Sequence, residues 1–447
     1  MPRPTSYISL ASKFAAGETS PSAELKKRLA KLDAIEPRIH AFVRIARESA
    51  IAAAEASDRR WRENKPLSPI DGMTIGVKDI IETEDMPTGQ GSPLTADLDT
   101  RRDAASIQAL REAGAIILGK TVTTEFAASE PLMAVANPHD LSRTAGGSSA
   151  GSAAAVGAGM IAGAVGSQVV GSTLRPSSYC GCVGYKPTYG ALNRGGSFDH
   201  LTQSCVGILT ETPEDAWGMA IAIASRVGGD PGFPGLQGPA TMPAPVAPRR
   251  LAALQTAGWA NASDGARDAF ARACDRLRAL GITVEGRADN PELEAFEAVI
   301  TEASPLTFQI GDWEWRWPLG GFAKREGLSA GLRGRLASGL KMTRDDYARA
   351  LRRREEIRQL YAQVAANFDG FVLLGATGAA PVGHSWTGDP SINIPASLLG
   401  TPAITLPLLS DAGLPLGLQL MGKADEDAAL MALAEWVWRH YDEASAR

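Results

Sequence analysis

Two serines and a lysine stand out in this chain of 447 residues, because they fall in three short motifs that follow one another in a fixed order. Lys78 follows Met73-Thr74-Ile75-Gly76-Val77, a run that predicts a strand. Ser148 lies 70 residues further on, in Gly146-Gly147-Ser148-Ser149-Ala150-Gly151-Ser152, and Ser172 lies 24 residues after that, in Gly171-Ser172-Thr173-Leu174-Arg175-Pro176. A serine hydroxyl becomes a nucleophile when a neighbouring base takes its proton, and a lysine can be that base only when neutral. With a reference pKa of ~10.4, fewer than about one lysine in a thousand is neutral at pH 7, so burial has to lower it. The 31 residues from Thr144 to Leu174 carry no charge and are surroundings of the kind that can do so. Taken singly, each run has a blander reading: a Gly-Gly-Ser-Ser turn, or a solvated charge at a strand end.

Other chemistries find less support. The five histidines form no H-E-x-x-H or similar ligand pattern. His40 and His440 read as helix residues, His139 follows the turn signal Asn137-Pro138, and His200 and His384 sit near glycine-rich segments. A Ser-His-Asp triad through His200 lacks a nucleophile elbow in the right context. Cys180, Cys182, Cys205 and Cys274 have no zinc spacing; Cys180 and Cys182 read as small buried residues, so no metal is expected. Acidic and basic residues, 50 and 45, are interspersed, which argues against a nucleic-acid or membrane partner. The uncharged stretch is too rich in Gly and Ser to span a bilayer. The N-terminus shows no targeting segment, and reduced cysteines fit a cytoplasmic setting.

Taken together and in this order, the motifs resemble those of the amidase signature family. That likeness rests on the three runs above, on Cys180-Gly181-Cys182-Val183-Gly184-Tyr185-Lys186-Pro187-Thr188, and on Gly388-Asp389-Pro390 and Gly413-Leu414-Pro415-Leu416-Gly417-Leu418-Gln419. Ala41-Phe42-Val43-Arg44 and Met86-Pro87-Thr88 look closest to malonamidase-like members. The resemblance implies an α/β fold, a large mixed β-sheet covered on both faces by α-helices, and a Ser-cisSer-Lys triad without cofactor. Ser172 would attack the carbonyl, Ser148, held by a cis peptide, would relay the proton, and Lys78 would be the base. Backbone N–H groups of Val169, Val170, Gly171 and Ser172 would form the oxyanion hole. Where the family has a glycine this chain has Val170, so either that position needs no positive φ or the hole is reshaped. Arg175 would bind a substrate carboxylate, or else brace its loop. The helical glutamine that malonamidase-like members add is absent near Val299–Glu302.

The implied reaction is hydrolysis of a small carboxamide through an acyl-serine. Two alternatives stay open, a glutaminase subunit of a tRNA-dependent amidotransferase and an inactive scaffold of the same fold. The partner expected is the small-molecule amide, with a homodimer left open.

The elements that must position these residues are partly legible. Ser20-Pro21 predicts a helix start, with Leu25, Leu29, Leu32 and Ile35 on one face. Ala104–Ala113 predicts a helix feeding the strand Ala115–Leu118; Asp264–Leu280, Thr343–Phe368 and Asp425–His440 predict further helices, and Gly370–Leu374 and Pro402–Leu406 strands. Between Gly228 and Pro248, glycine and proline are too frequent for a helix or central strand. One domain is expected over 1–447, with a catalytic core at about 65–225 and a more variable helical part at about 250–370. Trp313, Trp315 and Trp317 alternate, which suggests a stripe lining a substrate pocket or packing in a core or subunit contact.

Overall fold

The computed structural model describes residues 3–129, 131–199 and 201–442. Among the described residues thirteen strands follow one another: β1 (Phe42–Ile45), β2 (Thr74–Lys78), β3 (Ile116–Thr121), β4 (Ala136–Asn137), β5 (Asp140–Thr144), β6 (Gly163–Gln168), β7 (Val183–Lys186), β8 (Cys205–Thr210), β9 (Arg250–Ala253), β10 (Thr283–Glu285), β11 (Gly370–Leu374), β12 (Ala403–Asp411) and β13 (Leu414–Met421). Eleven of them form one mixed sheet in the order β1-β3-β2-β6-β8-β7-β12-β13-β11-β9-β10, and β4 pairs with β5 in a separate hairpin. The α/β sheet expected from the sequence is the one observed, with helices on both faces. Alternation in β11 shows why: Val372 and Leu374 enter one buried cluster while Phe371 and Leu373 enter another on the opposite face.

Several predicted elements form with their expected ends. The Ser20 hydroxyl accepts the Ala23 N–H at the start of the helix Pro21–Ile39, with Pro21 in its first turn. Thr343 and Asp346 make a reciprocal capping box that opens Arg344–Ala365. No helix or strand occurs between Val227 and Arg250, as the glycine and proline content requires. Among the described residues no helix is long and apolar enough to cross a membrane.

The uncharged stretch folds into the centre of the molecule. Its helix Ala150–Gly157 has no polar face, with seven of its eight residues buried, which suits a helix enclosed all round. Glycine is required here by close approach: a Cβ on Gly151 would lie 2.1 Å from the Ala41 carbonyl oxygen, and one on Gly157 would lie 2.1 Å from that of Cys180. The helix thereby sits against the chain leading into β1 and against the helix Leu174–Cys180. That seating brings Ser148, just before the first helix, close to Ser172, just before the second, and the Ser149 N–H donates to the Ser172 carbonyl at 3.2 Å.

Candidate active site

Strands β2 and β6 run parallel and adjacent, with Val77 opposite Val165. Both end at the same edge of the sheet, where open α/β sheets bind ligands. Lys78 is the last residue of β2, wholly buried, and its Nζ donates to Ser148 Oγ at 2.7 Å and to Ser167 Oγ at 2.9 Å. The Gly147–Ser148 peptide is cis. Ser172 is 9 % exposed, and its hydroxyl makes no hydrogen bond among the described residues. Ser148 and Ser172 line one cavity of about 330 Å³.

Burial lowers the Lys78 pKa from 10.5 to about 7, so a large fraction of the amine is neutral near neutral pH. Buried Lys120 makes a useful contrast. Its Nζ is held by the Ile81 carbonyl and Thr88 hydroxyl, with the Asp79 carboxylate at 3.7 Å, and burial lowers it only to about 8. Lys78 instead meets two serine hydroxyls, which can donate to a neutral amine as readily as they accept from an ammonium.

A charge opposes the burial effect at Lys78. Asp199 is 5 % exposed, lines the cavity, and among the described residues neither carboxylate oxygen has a hydrogen-bond partner. Its field favours the ammonium and raises the Lys78 pKa. Asp199→Asn removes that field, so the acidic limb of the kcat/KM profile is expected to move to lower pH than in the wild type. An unmoved or raised limb in steady-state pH profiles would contradict the coupling.

The loop between β6 and the helix Leu174–Cys180 is tied by Gln168. Its side-chain oxygen accepts the N–H groups of Thr173 and Leu174, both at 3.0 Å, and its Nε2 donates to Ser397 at 3.1 Å. Among the described residues the four intervening N–H groups, of Val169, Val170, Gly171 and Ser172, donate no hydrogen bond. Val170 takes an ordinary negative φ, so valine fits that position without the strain a left-handed residue would carry. Arg175 is buried and lines the cavity. Its Nε donates to the Thr387 carbonyl at 2.8 Å, and its Nη2 to the Gly147 carbonyl at 2.9 Å and the Thr387 hydroxyl at 3.1 Å, which braces the loop carrying Ser148.

Other sequence candidates lie elsewhere. His139 and His384 contact the carbonyls of Cys180 and Leu141, and His440 stacks on Trp436. His40 is not inside a helix: it follows Ile39 as a left-handed cap. His200 lies outside the described residues. Cys180 and Cys182 are buried, which pushes both thiols up, Cys182 to about 12, so neither is a reactive thiolate. Among the described residues no cluster of His, Cys, Asp or Glu could hold a metal ion.

The tryptophans do not form a stripe. They fall in the helices Ala303–Glu314 and Arg316–Gly320 or at their junction, where residues two apart point about 200° away from each other. Trp313 stacks on Tyr347, whereas Trp315, buried, and Trp317, 81 % exposed, both line a cavity of about 570 Å³. Ser167, Gln168, Asp199 and Thr387 join the site without having stood out in the sequence. Ser167 and Gln168 were visible as polar residues in a short strand, but only strand pairing shows what they touch.

Comparison with known proteins gives the family and the fold. The Amidase family model matches residues 24–431. A glutamyl-tRNA(Gln) amidotransferase subunit from Myxococcus xanthus is 30% identical, covering 97% of each chain. The corresponding subunit from Solidesulfovibrio magneticus is 31% identical, covering 96% of each. A solved amidase structure superposes with a TM-score of 0.83 at 26% identity, over 98% of this chain and 100% of that one. By sequence and by fold, the chain belongs to the Amidase family and is an enzyme acting on amide C–N bonds.

Proposed function

We propose that this protein is an amidohydrolase that cleaves a small carboxamide through an acyl-Ser172 intermediate. The observation that carries the reading is the contact of a buried Lys78, with a pKa of about 7, with Ser148 in the cavity that Ser172 also lines. Neutral Lys78 takes the Ser148 proton while Ser148 takes that of Ser172, whose Oγ attacks the amide carbonyl. Negative charge develops on the carbonyl oxygen, where the unbonded N–H groups of Val169 to Ser172 would receive it; one such donor is typically worth ~2.7–4 kcal/mol. Collapse breaks the C–N bond, the proton returns through Ser148 to the departing nitrogen, and ammonia or an amine leaves. Water then attacks the acyl-serine by the same relay. Arg175 adds positive charge to the cavity wall, favouring a substrate that carries a carboxylate or a polarised carbonyl. Four free, buried cysteines fit a reducing, cytoplasmic setting.

A second reading draws on the relatives named as amidotransferase subunits: the chain would release ammonia from glutamine for a partner complex. Ammonia release by the purified chain separates the two. Malonamate, glutamine, acetamide and an aromatic amide form the panel. Turnover of simple amides without partners is expected; turnover of glutamine alone, and only with added partners, would favour the second reading. The kcat/KM profile is expected to rise through about pH 7 and level off above it, because Lys78 must lose its proton to act. A profile that falls over that range would exclude Lys78 as base.

A further inference from the structure

A second cavity, of about 570 Å³, adjoins the one that holds Ser148 and Ser172. Phe126 and Trp315 line both, so the two spaces meet at a shared aromatic wall. Leu94, Phe198, Trp317 and Phe322 belong to the rest of its apolar lining. The charged members of its wall, Asp97 and Arg325, are exposed and belong to the rim.

The wall is built rather than incidental. Phe126, Trp315, Leu319, Leu328, Leu332 and Leu336 form a buried cluster of their own, and Val169, first of the four unbonded N–H groups, packs against it. Phe126 and Phe322 rings lie 5.0 Å apart. Phe126 and Ala127 both take left-handed backbone, φ 49° and 55°, and the Phe126 N–H is tied to the Gln90 carbonyl at 2.8 Å. Two consecutive non-glycine residues in that region are uncommon, and such strain gathers at ligand clamps. A volume of this size lies in the range of about 300–1,000 Å³ that organic ligands occupy.

We propose that this second cavity is a subsite for an apolar substituent, alkyl or aryl, of the amide substrate. The proposal rests on the amidohydrolase reading and narrows it. Small polar amides would fill only the space beside Ser172, whereas an amide with a hexyl, heptyl or phenylpropyl group would reach past Phe126 and Trp315. Apolar burial strengthens binding by about fourfold per methylene removed from water, so kcat/KM is expected to climb more than about tenfold from butanamide to octanamide.

The test compares acetamide, butanamide, hexanamide, octanamide and 4-phenylbutanamide with N-hexylacetamide, which places the chain on the nitrogen instead of the acyl carbon. Leu94→Trp fills the cavity and is expected to lower the octanamide-to-acetamide ratio of kcat/KM at least tenfold. Trp317→Ala removes an exposed wall without disturbing a core and is expected to lower that ratio about threefold. Calorimetric titration of octanamide and acetamide into the Ser172→Ala protein reads the subsite without turnover. Tighter octanamide binding that Leu94→Trp weakens supports the subsite even if no amide is hydrolysed, an outcome that would sink the hydrolase reading alone. Amide turnover with no dependence on acyl chain length and no gain for N-hexylacetamide over acetamide, or a ratio unmoved by both variants, overturns the proposal.

Discussion

Ser172→Ala is expected to lower kcat on any amide the protein hydrolyses by about 10⁴–10⁶-fold, with KM changed little. The side chain has little to do with folding. Its hydroxyl makes no hydrogen bond among the described residues, and the backbone carbonyl that accepts the Ser149 N–H survives the substitution. The melting temperature should therefore stay within about 2 °C of the wild type, because substitutions that break no contact usually change stability by less than about 0.5 kcal/mol. A large loss of kcat without loss of fold is what a nucleophile shows and a structural serine does not. Ser148→Ala separates the two serines further: it removes the group that Lys78 contacts at 2.7 Å, but leaves the attacking oxygen in place. If Ser172→Ala retained more than about 1 % of activity while Ser148→Ala did not, the attacking oxygen would be that of Ser148. Hydroxylamine offers a second check, since an acyl-enzyme partitions between water and hydroxylamine in a ratio independent of the amine that has already left. Amides sharing one acyl group but differing in amine should give one hydroxamate-to-acid ratio; ratios that vary with the amine would rule out a common acyl-Ser172.

What could be read from residue order and what could not divide along a physical line. Lys78 was legible because an apolar run ends in a charge, and β2 does end at Lys78. The cap at Ser20 was legible because it acts within one turn of itself, whereas the capping box of Thr343 and Asp346 emerges only in the structure. The helix Ala150–Gly157 was not, since a segment enclosed on all sides has no polar face and therefore no period of 3.6 to detect. Ser167 was not legible either: it reaches Lys78 across the β2–β6 pairing, 89 residues away in sequence, and pairing partners leave no local mark. Trp313, Trp315 and Trp317 were legible only in part. Alternation implies one face only in a strand; helical backbone turns Trp313 onto Tyr347, while Trp315 and Trp317 line the same 570 Å³ cavity. Asp199 and Thr387 come from connecting segments, where position follows from what the loop packs against rather than from any pattern along the chain.

Lys78→Met tests the base and its environment together. Methionine matches the length of the lysine stem but can neither accept nor donate the proton, so kcat is expected to fall by about 10²–10⁴-fold, the usual contribution of a positioned general base. Lys78→Arg should be as inactive, because guanidinium stays protonated throughout the working range. Added to Ser172→Ala, the Lys78→Met change should cost almost nothing more, since a base without its nucleophile has no proton to take. Stability carries an independent sign. Burial holds the folded-state pKa of Lys78 near 7, against 10.5 for a free lysine, so between those values the unfolded chain binds the extra proton and rising pH favours the folded wild type. Methionine has no such term. The melting-temperature difference between wild type and Lys78→Met should therefore move in the wild type's favour as pH climbs from about 7 toward 10.5, and stay flat below about 7 where both states are protonated. A difference that is constant across the whole range would mean that Lys78 keeps an ordinary pKa in its pocket, and a lysine charged at neutral pH cannot take the proton of Ser148.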